Sequence, residues 1–258
     1  MTSLSEIPGY VINLQGSDAR LASATGQFAQ AGLTFERIEA VDGRGRSPGE
    51  FAEYNDAHAR RFFGSGMNSG EIGCYLSHVA AARALVDSGA PAGLIFEDDF
   101  RALENAWDTV AETADFLLRG DLPGWECVNL VRPPRLVIRD IATLPSGRVL
   151  RRAYYFPVIA TALLWSRAGA QRFLKEASQP VAPVDHMFRR LMSDSGKGLG
   201  YDQAPFTILG VESDIHLASV SSGAKNKRGK TPAWQEKSAE VRRQSRAISR
   251  AFWNKWTG

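Results

Sequence analysis

The stretch Gly93-Leu94-Ile95-Phe96-Glu97-Asp98-Asp99-Phe100 decides how the rest of the chain is interpreted. Its apolar run predicts a buried strand. The run ends in three consecutive carboxylates, which repel one another unless a cation or hydrogen-bond donors lie beside them. Glu97 and Asp99 are two residues apart, so in extended backbone both would point to the same side. Two oxygen ligands suit a hard divalent cation that also bridges phosphates, and the alternative is an acidic surface loop.

The residues before this strand predict a β-α-β unit. An apolar strand over 9–14 is followed by a helix from Ser17 to Gly32, and residues 35–41 alternate as a second strand. Such units build parallel sheets covered by helices, and these sheets bind ligands beyond the carboxyl ends of their strands. Asn13, Asp42 and the acidic triplet all fall at such ends, which predicts a common site.

A capping-box pattern, Asn68-Ser69-Gly70-Glu71, predicts a helix that continues to Gly89. This helix carries Cys74 and, one turn later, His78, a type of position more often occupied by a hydrogen-bonded core histidine than by a ligand. Cys74 and Cys127 are the two cysteines, and both are predicted to be free thiols in buried elements. No Cys/His cluster with the spacing of a metal site is found in the sequence.

The remaining segments predict further strands and helices around the same sheet. The predicted strands cover residues 127–131, 135–141, 149–156, 158–165 and 205–210, and the predicted helices cover 48–63, 103–118, 167–176 and a segment from Pro183. Asp185 lies in the first turn of the last helix, where capping and catalysis are both open explanations. The predicted fold is α/β, with a mostly parallel central sheet flanked by helices.

Composition and charge separate a globular domain from a basic tail. The 258 residues are 44% hydrophobic and 23% charged, values typical of a soluble globular protein. No apolar run is long enough for a transmembrane helix and the start lacks a signal pattern, which predicts a cytoplasmic protein. The net charge is +3, yet residues 225–255 hold ten Lys and Arg against two Glu. We therefore expect a domain over 1–222 and a basic tail over 223–258.

The tail is predicted to be an amphipathic helix. Counting from Trp234, a helical period brings one polar and four apolar residues to one face, with arginines at its margins: Val241, Ser245, Ile248, Phe252 and Trp256. A basic helix with aromatic residues favours an anionic membrane surface, so residues 225–256 are predicted to attach the protein peripherally to the inner membrane. The alternative is packing on the globular domain. A nucleic-acid partner is not predicted, because the preceding residues are acidic overall.

Five motifs in order resemble glycosyltransferase family 25, which includes bacterial lipooligosaccharide galactosyltransferases and relatives of the collagen galactosyltransferases. The motifs are Val11-Ile12-Asn13-Leu14 with Ser17 and Arg20, Glu39-Ala40-Val41-Asp42-Gly43, Gly70-Glu71-Ile72-Gly73-Cys74-Tyr75-Leu76-Ser77-His78, Glu97-Asp98-Asp99, and Pro183-Val184-Asp185-His186. The resemblance spans residues 9–216. It implies a GT-A-type fold, a UDP-sugar donor with galactose as the first suggestion, Mn²⁺ or Mg²⁺, and inversion at the anomeric carbon.

The resemblance also implies roles for individual residues. Glu97, Asp99 and His216 would hold the cation, which stabilises the charge of the leaving UDP. Asp185 is the first choice and His186 the second for the general base, although a helix N-terminus would lower the pKa of Asp185. The residues expected near the UDP-sugar are Asn13, Leu14, Arg20, Asp42, Ser77, His78 and Asp98.

The expected acceptor is a saccharide, lipid-linked in lipopolysaccharide or surface-glycan synthesis. The alternative is a carbohydrate- or nucleotide-binding protein on the same fold with weak or lost catalysis, because a fold does not fix a function.

Overall fold

The computed structural model describes residues 4–176 and 179–209, together with the single residues 245 and 249. Strands occupy β1 (Gly9–Asn13), β2 (Glu36–Glu39), β3 (Ala92–Glu97), β4 (Phe100–Ala102), β5 (Cys127–Asn129), β6 (Ile138–Thr143), β7 (Val149–Ala153), β8 (Ala162–Ser166), β9 (Gly198–Tyr201) and β10 (Phe206–Ile208). Helices occupy α1 (Asp18–Gln30), α2 (Asp56–Phe63), α3 (Ser69–Ser88), α4 (Ala106–Leu118), α5 (Arg167–Glu176) and α6 (Val184–Ser195), with 3₁₀ turns at Leu4–Glu6 and Pro48–Glu50.

Eight of these strands form one sheet in the order β2-β1-β3-β8-β5-β9-β7-β6, and β4 pairs with β10 in a small second sheet. β1 is parallel to β2 and β3, and β5 is parallel to β9. β8 is antiparallel to both β3 and β5, and β7 is antiparallel to both β6 and β9. Only β7 and β8 therefore oppose the common direction, and the α/β prediction with a mostly parallel sheet is confirmed.

The two faces of β3 divide the core into two layers. Ile95 contributes to the layer beneath α3, α5 and α6, which includes Phe173 and Phe188. Phe96 points to the opposite layer, beneath α1 and α4, which includes Phe28. Successive strand residues face opposite sides, so an apolar run without alternation marks a strand covered on both faces. Each such side chain stabilises the fold by roughly 1.5–3 kcal/mol when fully buried.

The helix that follows the capping box is formed as predicted. The Glu71 backbone N–H donates to the Asn68 side chain at 2.8 Å, and the Asn68 N–H donates to the Glu71 carboxylate at 2.9 Å. α3 ends at Gly89, whose φ of 75° is in the left-handed region that glycine tolerates. The first helix is less regular, because its N-cap Ser17 makes no side-chain capping bond.

Several boundaries differ from the predictions. β3 ends at Glu97 and residues 98–99 form a turn, so the extended backbone assumed for the acidic triplet is wrong there. β4 and β9 were not predicted, since one is three residues long and the other, Gly198–Tyr201, contains two glycines. The predicted strand over 158–165 begins only at Ala162. The predicted helix over 48–63 is a 3₁₀ turn and the separate helix α2.

The remaining predictions concern the cysteines, the membrane and the tail. Cys74 and Cys127 are free thiols, as predicted. Among the described residues, no helix combines the length and the apolar character that crossing a bilayer requires. The boundary at residue 222 and the tail lie outside the described part of the chain, apart from residues 245 and 249.

Candidate active site

A cavity of ≈ 130 Å³ opens at the carboxyl ends of β1, β2 and β3. The chain reaches it from four places, namely the loops after these three strands and the first half of α3. The cavity is lined by Ile12, Leu14, Arg20, Ala40, Val41, Asp42, Gly43, Arg44, Gly70, Cys74, Ser77, Glu97, Asp98 and Asp99. The predicted convergence of three strand ends at one site is found here.

Two glycines allow the loop after β2 to pack on the first turns of α3. A Cβ on Gly73 would collide with the Val41 carbonyl oxygen, and a Cβ on Gly43 would collide with the backbone of Ser69. Ser77 fixes the same contact, because its hydroxyl donates to the Gly73 carbonyl at 2.7 Å and accepts from the Val41 N–H at 2.8 Å. This part of the motif therefore shapes the cavity wall.

Asp98 lies in a network with β1, β2 and α1. The buried Asn13 amide donates to Asp98 Oδ2 at 2.6 Å and to the Ser17 carbonyl at 3.1 Å, and its oxygen accepts from Arg37 at 3.0 Å. Arg20 lies 3.5 Å from Asp98 Oδ1. Burial raises the pKa of Asp98, against the opposing effects of Asn13 and Arg20. The Asn13 side chain therefore bonds only within the protein and does not line the cavity, whereas Arg20 and Asp98 do line it.

Glu97 is held on the opposite side by α3 and by the loop before β8. Its Oε1 accepts from Cys74 Sγ at 3.4 Å and from His78 Nε2 at 3.1 Å, and its Oε2 accepts from Thr161 at 3.1 Å. Burial alone would raise the pKa of Glu97, but these hydrogen bonds and the nearby imidazole lower it. His78 is buried and lies behind the cavity, as a core histidine with a polar partner.

Asp99 is the carboxylate of the triplet with an unsatisfied oxygen. Its Oδ1 is buried and accepts no hydrogen bond from the described residues. Burial, the largest effect, and the charges of Glu97 and Asp98 together raise the pKa of Asp99 from 3.8 to about 7, while the charge of Arg20 opposes them. A buried oxygen without a donor is costly, and a bound cation would remove that cost.

Asp42 and Leu14 line the cavity from the loops after β2 and β1. The Asp42 carboxylate accepts from the Arg44 backbone N–H at 2.8 Å and from its guanidinium at 2.8 Å. The Arg44 hydrogen bond lowers the pKa of Asp42, although burial acts against it. Arg44 was not predicted, because it lies in the weakly patterned segment 43–68 and outside the motifs.

Asp185 lies near the acidic triplet at the start of α6. Burial is the largest effect and raises its pKa, and the charge of Glu97 adds to it, whereas His186 and Arg189 oppose. The expectation that the helix N-terminus would lower this pKa is therefore wrong, because burial outweighs it. The N-cap is Pro183, and the Asp185 carboxylate accepts a hydrogen bond from the neighbouring His186 N–H at 2.8 Å. His186 packs edge-on against Phe63 at 5.0 Å.

Two further placements complete the predicted site. His216, the predicted third metal ligand, lies outside the described residues. Thr161 and Cys74, which sequence reasoning gave no role, both hold Glu97. Cys74 could have been suspected from its spacing of four residues from His78, which places both on one helix face.

Comparison with known proteins supports the predicted family over the first half of the described chain. The family described as "Glycosyltransferase family 25 (LPS biosynthesis protein)" matches residues 6–125. This segment contains four of the five motifs, so the predicted resemblance to glycosyltransferase family 25 is confirmed there.

Curated relatives carry the same family name. A "Glycosyltransferase 25 family member" from Aedes aegypti is 29% identical over 181 residues, covering 68% of this chain and 29% of the relative. A "Probable inactive glycosyltransferase 25 family member 3" from Rattus norvegicus is 27% identical over 203 residues, covering 73% and 34%. The mouse protein, named inactive, is also 27% identical over 203 residues. The chain thus spans about a third of the length of these relatives.

A solved structure is also similar at a low level. It is titled "Crystal structure of a glycosyltransferase involved in the glycosylation of the major capsid of PBCV-1" and shares 10% identity. The alignment has a TM-score of 0.39 and covers 84% of this chain and all of the other. No conclusion about fold or function follows from a likeness at that level.

Proposed function

We propose that this protein is an inverting glycosyltransferase that moves a sugar, with galactose as the first candidate, from a UDP-sugar to a hydroxyl of a saccharide acceptor. The observation that carries the proposal is Asp99, which lines the cavity at the carboxyl ends of the strands and has a buried, unpartnered oxygen. The match of residues 6–125 to glycosyltransferase family 25 supports this class of reaction. Parallel sheets bind nucleotides at this edge, which agrees with a nucleotide-sugar ligand.

The carboxylates of the triplet fit a hard divalent cation. Asp99 offers an oxygen without a donor, and Glu97 and Asp98 line the same cavity. Mn²⁺ and Mg²⁺ prefer carboxylate oxygens and also bind phosphate oxygens, so either suits this set. Asp99 would hold the ion, with Glu97 or Asp98 as its neighbour and His216 as a further ligand proposed from the sequence. When bound, the ion would stabilise charge on the departing UDP as a Lewis acid.

The cavity also presents cations of its own to the donor. Arg20 and Arg44 line it, and both are paired with aspartates, at 3.5 Å to Asp98 and 2.8 Å to Asp42. A guanidinium held by a carboxylate keeps a defined direction, and a guanidinium binds phosphate oxygens with directed hydrogen bonds. We infer that Arg20 and Arg44 orient the diphosphate, while Leu14 and Val41 supply apolar surface.

Asp185 is the proposed general base. Single displacement requires a group that removes the proton from the acceptor hydroxyl as the new bond to the anomeric carbon forms. Burial and the nearby Glu97 raise the pKa of Asp185, which makes it a stronger base than an exposed aspartate. His186 is the second candidate, since it lies beside Asp185 at the same helix start.

The acceptor and the location are proposed from the family description and from the sequence. The family description names lipopolysaccharide biosynthesis, which suggests a lipid-linked saccharide acceptor. The basic residues of 225–256 would hold such an enzyme peripherally on the cytoplasmic side of an anionic membrane. Cosedimentation with anionic and neutral vesicles tests this, because a chain ending at Gly223 should lose the binding that the full chain shows only to anionic vesicles.

A second function is favoured by the names of the relatives. Two of them, from rat and mouse, are named inactive, which agrees with a protein that binds a nucleotide sugar without turnover. A panel of UDP-sugars assayed for Mn²⁺-dependent hydrolysis and for thermal shift separates the two. Hydrolysis of one sugar supports the transferase, a thermal shift without hydrolysis supports the binding protein, and neither response contradicts both.

A further inference from the structure

Helix α3 brings a thiol and an imidazole onto the same carboxylate. Cys74 and His78 are four residues apart, so both side chains lie on one helix face. Glu97 Oε1 is 3.4 Å from Cys74 Sγ and 3.1 Å from His78 Nε2. The three ligand atoms all lie within 4.8 Å of one another. The sequence shows no Cys/His cluster with metal-site spacing, because the third residue of this group is Glu97, which lies far from Cys74 and His78 in the sequence.

We propose that Cys74, His78 and Glu97 form a binding site for a borderline-soft divalent cation, with Zn²⁺ as the first candidate. The site lies beside the hard-cation site proposed at Asp99 and can share Glu97 with it, but its thiolate and imidazole ligands are its own. Thiolate and imidazole ligands select zinc over magnesium or manganese, whereas an all-oxygen set does the reverse.

The distances between the ligand atoms agree with tetrahedral zinc. Bond lengths of about 2.3 Å to sulfur and about 2.0–2.1 Å to nitrogen and oxygen imply ligand separations of about 3.5 Å for S···O and about 3.3 Å for N···O. The observed separations are 3.4 and 3.1 Å. The sulfur and the imidazole nitrogen lie within 4.8 Å of each other, so side-chain rotation can bring all three atoms to one ion.

The charges and protons also balance. Zinc binding requires the Cys74 thiolate, so the thiol proton leaves to solvent. The imidazole proton that Nε2 now shares with Glu97 moves to Nδ1, which has no partner among the described residues. The thiolate and the Glu97 carboxylate then carry two negative charges, which compensate the charge of Zn²⁺.

The ion can reach the site from the cavity. Cys74 and Glu97 both line the cavity, so a fourth ligand position would face its open space. His78 is 1% exposed, and its ring lies edge-on to Phe188 at 5.5 Å, which fixes the imidazole plane. Three protein ligands with one open position is a common zinc arrangement.

A bound Zn²⁺ would have a consequence for the proposed function. It would occupy Glu97 and part of the donor cavity, and so would inhibit sugar transfer at concentrations that fill the site. This consequence rests on the proposed function, whereas the binding of zinc itself does not.

The test uses the full-length, metal-stripped protein with Co²⁺ as a spectroscopic probe and Zn²⁺ in competition with a chelator. The wild type should show a thiolate-to-Co²⁺ charge-transfer band that Zn²⁺ abolishes. Cys74→Ser should lose the band and weaken Zn²⁺ affinity by at least about 10- to 100-fold, the range for disturbing even the outer partners of a site. Cys127→Ala is the matched control, because it removes the other free thiol, and it should keep the band.

Further variants keep the test decisive. His78→Gln should weaken zinc binding while its melting temperature shows that it folds, and Asp99→Asn should keep the charge-transfer band. The proposal is overturned by a wild type without the band, by a Cys74→Ser variant with unchanged affinity, or by an Asp99→Asn variant that loses the band. A protein that binds zinc in this way but hydrolyses no UDP-sugar would contradict the proposed transferase and leave the zinc site standing.

Discussion

Asp98 and Asp99 are neighbours in the chain, yet their surroundings differ in kind. Asp98 faces β1 and α1, where Asn13 and Arg20 occupy its two oxygens at 2.6 and 3.5 Å. Asp99 keeps a buried oxygen that accepts no hydrogen bond from any described residue. Two adjacent residues of one turn therefore differ: the Asp98 carboxylate has polar partners within the fold for both oxygens, and the Asp99 carboxylate does not.

The comparison separates stability from ligand binding. Buried polar groups in folded proteins are almost always hydrogen-bonded, so the unpartnered Asp99 oxygen requires an explanation, and at a cavity wall a bound ion is one. The Asp98 region joins β1, β2 and α1, while the Asp99 region faces the cavity. We infer that the first holds the strand ends in place and that the second receives the ligand.

The largest expected effect lies at Asp185, whose carboxylate is close enough to Glu97 to be affected by its charge. Replacing it by asparagine should lower the rate of sugar transfer by roughly 10²- to 10⁴-fold, because the acceptor hydroxyl loses its general base. The affinity for the UDP-sugar should stay unchanged. Steady-state kinetics with calorimetric donor binding measure both, and His186→Gln serves as the control. Transfer at the wild-type rate per folded molecule would show that Asp185 only stabilises the helix start.

A pH dependence should distinguish Asp99 in the metal-free protein. Its pKa is raised from 3.8 to about 7, so the folded state binds the proton more tightly than the unfolded chain does. The contribution of this group to the free energy of unfolding is highest below its unfolded pKa and is lost as the pH rises through about 7. The Asp99→Asn variant has no titratable carboxyl at this position, so its free energy of unfolding should not fall for this reason as the pH rises.

Chemical unfolding in EDTA, from about pH 4 to about pH 8, measures the difference between the two proteins. The variant should gain on the wild type as the pH rises, by at most about 4 kcal/mol, from the size of the pKa shift. A difference that does not change with pH would contradict the buried, unpaired state of Asp99.

Asp98→Asn should have a lower free energy of unfolding than the wild type, whereas Asp99→Asn should not. The change removes the charge that pairs with Arg20 and disturbs the short bond from Asn13, and losing a buried hydrogen bond typically costs about 1–3 kcal/mol. Denaturant unfolding at neutral pH provides the comparison. Equal destabilisation by the two substitutions would mean that the two regions do not differ as described.

Gly73→Ala should sharpen the comparison from the helix side. The added methyl group collides with the Val41 carbonyl, and overpacking of this kind costs about 1–3 kcal/mol. Gly26→Ala is the matched control, because Gly26 lies in α1 with nothing within 4 Å of the added carbon. That control should gain about 0.5–1 kcal/mol from helix propensity. If both variants have the same stability, the glycine is not needed for the contact.

The sequence predicted the parts of the fold that depend on local patterns. The capping box of α3 and the apolar run of β3 each follow from residues close together in the chain, and both are found. The strand Gly198–Tyr201 escaped prediction because its register is set by pairing with β5 and β7, which are distant in sequence. Tertiary context of that kind leaves no local pattern.

The site was predictable to a similar degree. The strand ends with Asn13, Asp42 and the triplet were located from the β-α-β pattern, and their side chains do meet around one cavity or directly behind it. Which oxygen lacks a partner could not be predicted, because it depends on the turn at residues 98–99. The raised pKa of Asp185 was not predicted either, because it depends on burial, which a local sequence pattern does not show and which outweighs the effect of the helix end.

The affinity for UDP with and without Mn²⁺ tests the central claim, that Asp99 holds the cation that binds the donor. Calorimetry on the wild type, on Asp99→Asn and on the exposed control Asp108→Asn gives the comparison. The account predicts that Mn²⁺ strengthens UDP binding in the wild type and in Asp108→Asn, and that Asp99→Asn loses this strengthening while its melting temperature stays at or above the wild-type value. Mn²⁺-dependent affinity that persists undiminished in a folded Asp99→Asn protein would contradict it.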